Sequence, residues 1–132
     1  MYWKIYLIAL PIFLIIDAAW LGLIAKDLYQ KELGFLMKSD INWIAAAIFY
    51  LLFILGLTVF VIVPAIESGN IYKALTLGAL FGLMTYATYD LTNLATIEGW
   101  PVSVTVIDLI WGSFIGGSVS TITYLVVTKF VL

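Results

Sequence analysis

The sequence contains no cysteine and no histidine. Without them there are no disulfides, no cysteine nucleophile, no Cys/His zinc site, no histidine-ligated haem and no histidine-dependent triad. Charge is scarce as well, at 11% of 132 residues. Soluble domains carry about 25%. The six basic residues are scattered along the chain and the net charge is −2, so no basic surface for nucleic acid can form.

What is abundant is apolar. Hydrophobic residues make up 64% of the chain, against roughly 45–50% in soluble domains. A single domain of this length cannot hide that excess, because small folds bury a modest share of their surface. The expected solvent is therefore lipid. Met1–Ile16 has a lysine followed by an apolar run, like a signal peptide. Apolar character continues past Asp17 to Ala25, however, and no small-x-small cleavage site follows. A retained first span is expected.

A helical span needs about 20 mostly apolar residues to cross a hydrocarbon core of ~30 Å. The pattern places spans at about 3–25, 42–66, 72–97 and 102–128. Backbone polar groups in lipid must pair internally, so these spans are helical, and no run of alternating segments suggests a barrel. The fold class is thus an all-α membrane protein, one integral domain over residues 1–132, built as a four-transmembrane-helix up-down bundle. Between the first two helices, Lys26–Asp40 carries Tyr29, Leu33, Leu36 and Met37 at helical spacing on one side. That suits a short amphipathic helix lying in the interface or continuing span 1. The tight connections Glu67–Asn70 and Glu98–Pro101 force antiparallel neighbours.

An up-down bundle puts both termini on one side. Lys4, Lys73 and Lys129 fall there, and Lys26, Lys31 and Lys38 on the other, so counting lysines gives no orientation. Asp27, Glu32, Asp40 and Glu98 lie outside the core on the far side, against Glu67 on the terminal side, which favours cytoplasmic termini. Gly78-x-x-x-Gly82 and Gly112-x-x-x-Gly116 would let helices approach closely, within the bundle or in a homodimer. Trp43 and Trp100 are expected in interfacial belts.

Asp17, Asp90 and Asp108 stand inside apolar spans, where each costs several kcal/mol and needs a reason. Counting rise from the predicted span ends puts each roughly 10–12 Å from the far side, in one layer. On span 3, Gly78, Gly82, Tyr86, Asp90 and Asn93 form a seam at four- and three-residue steps, with Thr85, Tyr89, Thr92 and Thr96 on the adjacent stripe. On span 4, Thr105, Asp108, Trp111 and Gly112 share a face, and span 1 offers Trp20 beside Asp17. The candidate ligand- or ion-binding residues are Asp17, Asp90, Asp108, Asn93, Tyr86, Trp20, Trp111 and Thr92. No lysine or arginine lies mid-span, so some carboxyls are expected to carry a proton. Alternatively a cation compensates them: a metal ion on Asp17, Asp90 and Asp108, with oxygen ligands suited to Mg²⁺, Ca²⁺ or Mn²⁺, or an ammonium group. The plain alternative is interhelical hydrogen-bond glue. Asp-x-x-Trp recurs at Asp17/Trp20, Asp40/Trp43 and Asp108/Trp111, but an inverted repeat would set Asp17 and Asp108 at opposite depths, whereas the count puts them level.

The strings Ile16-Asp17-Ala18-Ala19-Trp20-Leu21-Gly22, Tyr86-Ala87-Thr88-Tyr89-Asp90-Leu91-Thr92-Asn93-Leu94-Ala95-Thr96, Trp100-Pro101 and Asp108-Leu109-Ile110-Trp111-Gly112 resemble a family of small bacterial membrane proteins, domain of unknown function 2177. The resemblance covers nearly the whole chain. It implies a prokaryotic inner-membrane protein with four helices and brings no activity with it. Three functions stay open: a protein that binds or transports a proton, metal ion or small cationic amphipathic ligand; a lipid-modifying intramembrane enzyme using Asp90 and Asp108 as an acid/base pair; and a non-catalytic structural subunit. The lack of histidine and of any nucleophile motif weighs against the enzyme. No cofactor is implied beyond a candidate divalent cation. The expected partners are the bilayer and a second copy of the chain.

Overall fold

The computed structural model describes residues 1–37 and 41–132. Its elements are four long helices: α1 (Tyr2–Leu33), α2 (Trp43–Ser68), α3 (Ile71–Thr96) and α4 (Val102–Val131). Among the described residues there is no strand.

Local chemistry sets the helix ends. Asn42 caps α2, its side-chain oxygen accepting from Ala45 N at 3.1 Å, and Asn70 caps α3 by accepting from Tyr72 N at 3.0 Å. At the end of α2, Gly69 takes the left-handed conformation (φ 63) and Asn70 N bonds back to Ala65 O at 3.1 Å, closing the helix as a cap that glycine makes without strain. Gly99 (φ 81) and Pro101 make the reversal into α4. Both tight connections therefore fall where the turn residues predict them.

The largest departure lies in α1. It does not end near Ala25 but runs on through Leu33, so the amphipathic segment continues span 1 as helix that far. Lys38 and Asp40, the rest of that predicted segment and one of the three Asp-x-x-Trp pairs, lie outside the described residues. Between the two parts, Leu21–Ala25 winds as a wider π-type turn. The start of α1 lies beside the end of α4, where Met1, Lys4, Ile5 and Ile8 share a groove with Val127, Val131 and Leu132. These two helices are thus antiparallel neighbours.

Three helices, α1, α2 and α4, are long and apolar enough to cross a membrane. The 26 residues of α3 give it the length, about 39 Å at 1.5 Å per residue, but its inward seam lowers its mean hydropathy. Gly78, Gly82 and Asp90 are buried, while Leu75, Leu80, Leu83 and Met84 point outward. The outside of the bundle is largely apolar, with Leu23 80% and Ile44 75% exposed. Only a lipid environment makes such a surface favourable.

The helices α3 and α4 lie closest together. A methyl group on Gly82 would run into the Gly112 carbonyl, and one on Gly116 into the Gly78 carbonyl. The two small-residue motifs therefore serve contact within the chain, with backbones near van der Waals contact. Toward the terminal side the bundle is dry: Ile5, Ala9 and Phe13 of α1 meet Ile54, Leu57 and Ile62 of α2 and Ile115 and Val119 of α4.

Candidate functional site

On α1 the buried positions follow one another at four-residue steps: Ile5, Ala9, Phe13, then Asp17. The stripe that builds the dry core thus delivers a carboxyl just beyond it. After the π-type turn, Ala25 and Tyr29 continue the inward side, and the Tyr29 hydroxyl donates to Asp108 Oδ1. A wider turn rotates the helix less per residue than an α-turn, which brings Tyr29 back toward the face that carries Asp17.

These side chains border a cavity of about 380 Å³. All four helices contribute: Asp17, Trp20, Leu21 and Tyr29 from α1, Ala46, Phe49 and Tyr50 from α2, Thr85, Tyr86 and Tyr89 from α3, and Asp108 and Trp111 from α4. Its volume is within the range of small-molecule sites, roughly 300–1,000 Å³. The wall is mostly aromatic. Trp20 and Trp111 stack with ring centroids 4.5 Å apart and planes 8° from parallel. Phe49 meets the edge of Tyr86 at 6.3 Å. Such pairs add about 0.5–1.5 kcal/mol each beyond simple burial, so the wall holds its shape without a ligand.

The carboxyls are distributed along the bundle axis. Tyr50 and Trp111 flank Asp17, whereas Tyr29 and Asp90 flank Asp108. Tyr29 is twelve residues beyond Asp17, roughly 18 Å of helical rise, much farther than a tyrosine side chain extends. Asp108, which Tyr29 reaches, therefore lies on the far side of the tryptophan stack from Asp17. The single-layer expectation is corrected accordingly. It counted Asp17 from Ala25 as a helix end, and Ala25 is in mid-helix. With α1 and α4 antiparallel, the two Asp-x-x-Trp motifs face one another across the stack, one carboxyl at either end.

Of the candidate residues, Asp17, Asp108, Tyr86, Trp20 and Trp111 meet at the cavity. Asp90 does not border it. It is fully buried between α3 and α4 next to Asp108; no N–H or hydroxyl donates to its oxygens, and the two carboxyls can bond one another only when one of them carries a proton. Asn93 stands one turn beyond Tyr89, off the cavity wall. Thr92 faces outward, its hydroxyl turned back onto the carbonyls of Thr88 and Tyr89 at 2.5 and 3.0 Å. Trp100, expected in an interfacial belt, is instead buried and donates from Nε1 to Thr105 Oγ1 at 3.2 Å, while Trp43 is 69% exposed. Among the described residues no three carboxylates converge closely enough to hold a metal ion. A divalent ion therefore has no ready-made ligand set in Asp17, Asp90 and Asp108.

Tyr29, Tyr50 and Phe49 are site residues that periodicity does not reveal. Tyr29 belongs to the amphipathic pattern after span 1, and only the π-type turn directs it inward. Tyr50 and Phe49 sit within a uniformly apolar span where no face stands out.

The fold and the cavity together define a helical membrane protein with an acidic, aromatic chamber inside its bundle. Residues 2–125 match the model of a family described as predicted membrane protein, domain of unknown function 2177, and the chain belongs to that family. No curated protein and no solved structure matches it.

Proposed function

We propose that the protein is a four-span protein of the prokaryotic inner membrane, its termini cytoplasmic, that binds a small amphipathic organic cation inside its bundle and passes it across the bilayer. One observation carries this reading. Two carboxyls, Asp17 and Asp108, border a chamber otherwise walled by Trp20, Tyr29, Phe49, Tyr50, Tyr86, Tyr89 and Trp111. Aromatic faces attract cations, by about 2 kcal/mol or more where water is excluded, and a carboxylate in a low-dielectric site calls for a positive partner. An ammonium group with an apolar body satisfies both kinds of wall.

The apolar outer face of α3 supports counting it as the fourth span, and the excess of acidic residues on the far side supports the orientation. A second copy packed alongside would close the route toward lipid. The scattered carboxyls favour an organic cation over a metal ion. They also lend less support to a lipid-modifying acid/base pair, because of Asp90 and Asp108 only Asp108 borders the chamber.

The test is thermal unfolding of the purified protein in detergent with benzyltrimethylammonium, against an equal concentration of sodium chloride. A ligand that binds the folded form stabilises it by about 2.7 kcal/mol at a hundred times its Kd. The expected result is a rise in Tm that saturates with concentration and is reduced in Asp17→Asn. Unfolding curves that ignore the cation, in native protein and variant alike, would exclude the reading and leave the carboxyls as structural polar contacts.

A further inference from the structure

The chamber has two acidic ends and an aromatic middle, an arrangement that a ligand with one positive charge uses only in part. Both Asp17 and Asp108 border it and each is only 6% exposed, and helical rise along the antiparallel α1 and α4 sets them on opposite sides of the Trp20–Trp111 stack. Each carboxyl has its own neutral donor neighbours, Tyr50 and Trp111 for Asp17 and Tyr29 for Asp108. Phenols and indoles donate to a carboxylate without cancelling its charge. No lysine or arginine occurs in the spans between Lys4 and Lys26, Lys38 and Lys73, or Lys73 and Lys129. Two carboxyls therefore border one cavity with no basic side chain in the spans to balance them when they ionise.

A separate observation marks the same place. Trp111 is 9% exposed, borders the cavity, and its N–H has no hydrogen-bond partner. A buried donor left open costs about 1–3 kcal/mol. It sits beside the Asp17 carboxyl on the cavity wall.

Resting on the cation-binding reading above, we infer that the ligand is two-headed: a linear aliphatic diamine, one ammonium at Asp17 and the other at Asp108, its methylene chain lying along the stacked indoles. The second contact is intramolecular once the first amine is held, so it strengthens binding without new surface. Two opposite charges per ligand also leave the chamber neutral, the condition under which a buried ionic site is stable.

Tryptophan fluorescence of the purified protein in detergent reports on the stack directly. Titrations with cadaverine, with n-pentylamine and with benzyltrimethylammonium separate the two levels of the proposal. Cadaverine is expected to half-saturate at a concentration at least about tenfold below n-pentylamine, which has the same carbon chain and one amine. Asp17→Asn and Asp108→Asn should each reduce that advantage to within about twofold while n-pentylamine still binds. Asp17→Glu keeps the charge and reaches one methylene farther, so the best diamine should become the shorter putrescine. Equal binding of cadaverine and n-pentylamine, with benzyltrimethylammonium also bound, overturns the two-headed ligand and leaves the cation site standing. No response to any of the three overturns both. A cadaverine preference that survives intact in folded Asp17→Asn and Asp108→Asn protein also overturns the inference, since the second amine would then be held elsewhere.

Discussion

The two halves of this bundle are made by the same helices and differ in what fills them. Toward the termini, Ile5, Ala9, Phe13, Ile54, Leu57, Ile115 and Val119 pack into a dry core, and Gly78 and Gly116 bring two backbones together. Toward the other side, the same stripe on α1 presents Asp17 and α4 presents Asp108 to a chamber, while α3 packs Asp90 against Asp108. The polar half is not an extension of the core. It holds a pairing across helices, Tyr29 to Asp108, beside groups that no donor or acceptor meets, the oxygens of Asp90 and the N–H of Trp111. One half holds the helices in place through apolar and glycine contacts, and the other keeps the carboxyls of Asp17, Asp90 and Asp108 buried at or beside the cavity.

That division is sharpest under overpacking. Gly82→Leu drives a side chain into the Gly112 carbonyl, and because backbone rather than a flexible side chain is in the way, relaxation means parting α3 from α4. The expected loss is at least about 3 kcal/mol, the upper end for overpacked sites. Size-exclusion chromatography should show the folded peak disappear. Phe13→Ala comes next. Phe13 is fully buried between Tyr50 and Phe53, with ring centroids 5.3 and 5.6 Å away. Truncation there is expected to cost about 3 kcal/mol, mostly through the cavity it leaves, read as a lowered Tm in detergent.

In the polar half the effects should be smaller. Tyr29→Phe removes the hydroxyl that donates to Asp108 and should cost about 1–2 kcal/mol, as for a hydrogen bond to a group that can ionise. Trp20→Leu keeps the apolar bulk but removes the stack on Trp111. It should cost about 1 kcal/mol and shift Trp111 emission to longer wavelength. If either change costs as much as Phe13→Ala, the two halves are not energetically distinct.

Much of the architecture was readable from residue order alone. Apolar runs longer than a bilayer is thick, asparagines before helices and glycine and proline at the reversals placed α2, α3 and α4 within a few residues. The glycine motifs pointed to a close contact, and the carboxyls on three helices pointed to the region of the site. Two things were hidden, both rooted in α1. Its charged tail, Lys26–Leu33, looks like the end of a span, but a helix continues wherever its backbone stays bonded and its polar residues reach the interface. Counting depth from the wrong end then set Asp17 level with Asp108 and obscured the facing Asp-x-x-Trp motifs. The π-type turn at Leu21–Ala25 compounds this, because a period of 3.6 residues does not carry across it and Tyr29 drops out of the inward set. Thr92 and Asn93 stand off the cavity wall for different reasons: Thr92 is on the outward side of α3, whereas Asn93 shares the seam of Tyr86 but lies one turn beyond Tyr89.

Asp90 gives the smallest expected effect and the most decisive one. It is wholly buried, no N–H or hydroxyl donates to it, and Asp108 beside it can bond to it only when one of the two is protonated, so its carboxyl carries mainly a desolvation cost. A residue kept as interhelical glue loses stability when its hydrogen-bonding capacity is reduced. A residue kept for function in a site that strains the fold gains stability, or loses none, when replaced. Asp90→Asn preserves the shape and removes the ionisable group beside Asp108. Its Tm in detergent is expected to equal or exceed that of the native protein, within about 0.5 kcal/mol of unchanged or on the stabilised side. A clear drop, as large as that of Tyr29→Phe or larger, would mean that Asp90 makes a structural bond after all, and the polar half would then be a second core built from different materials.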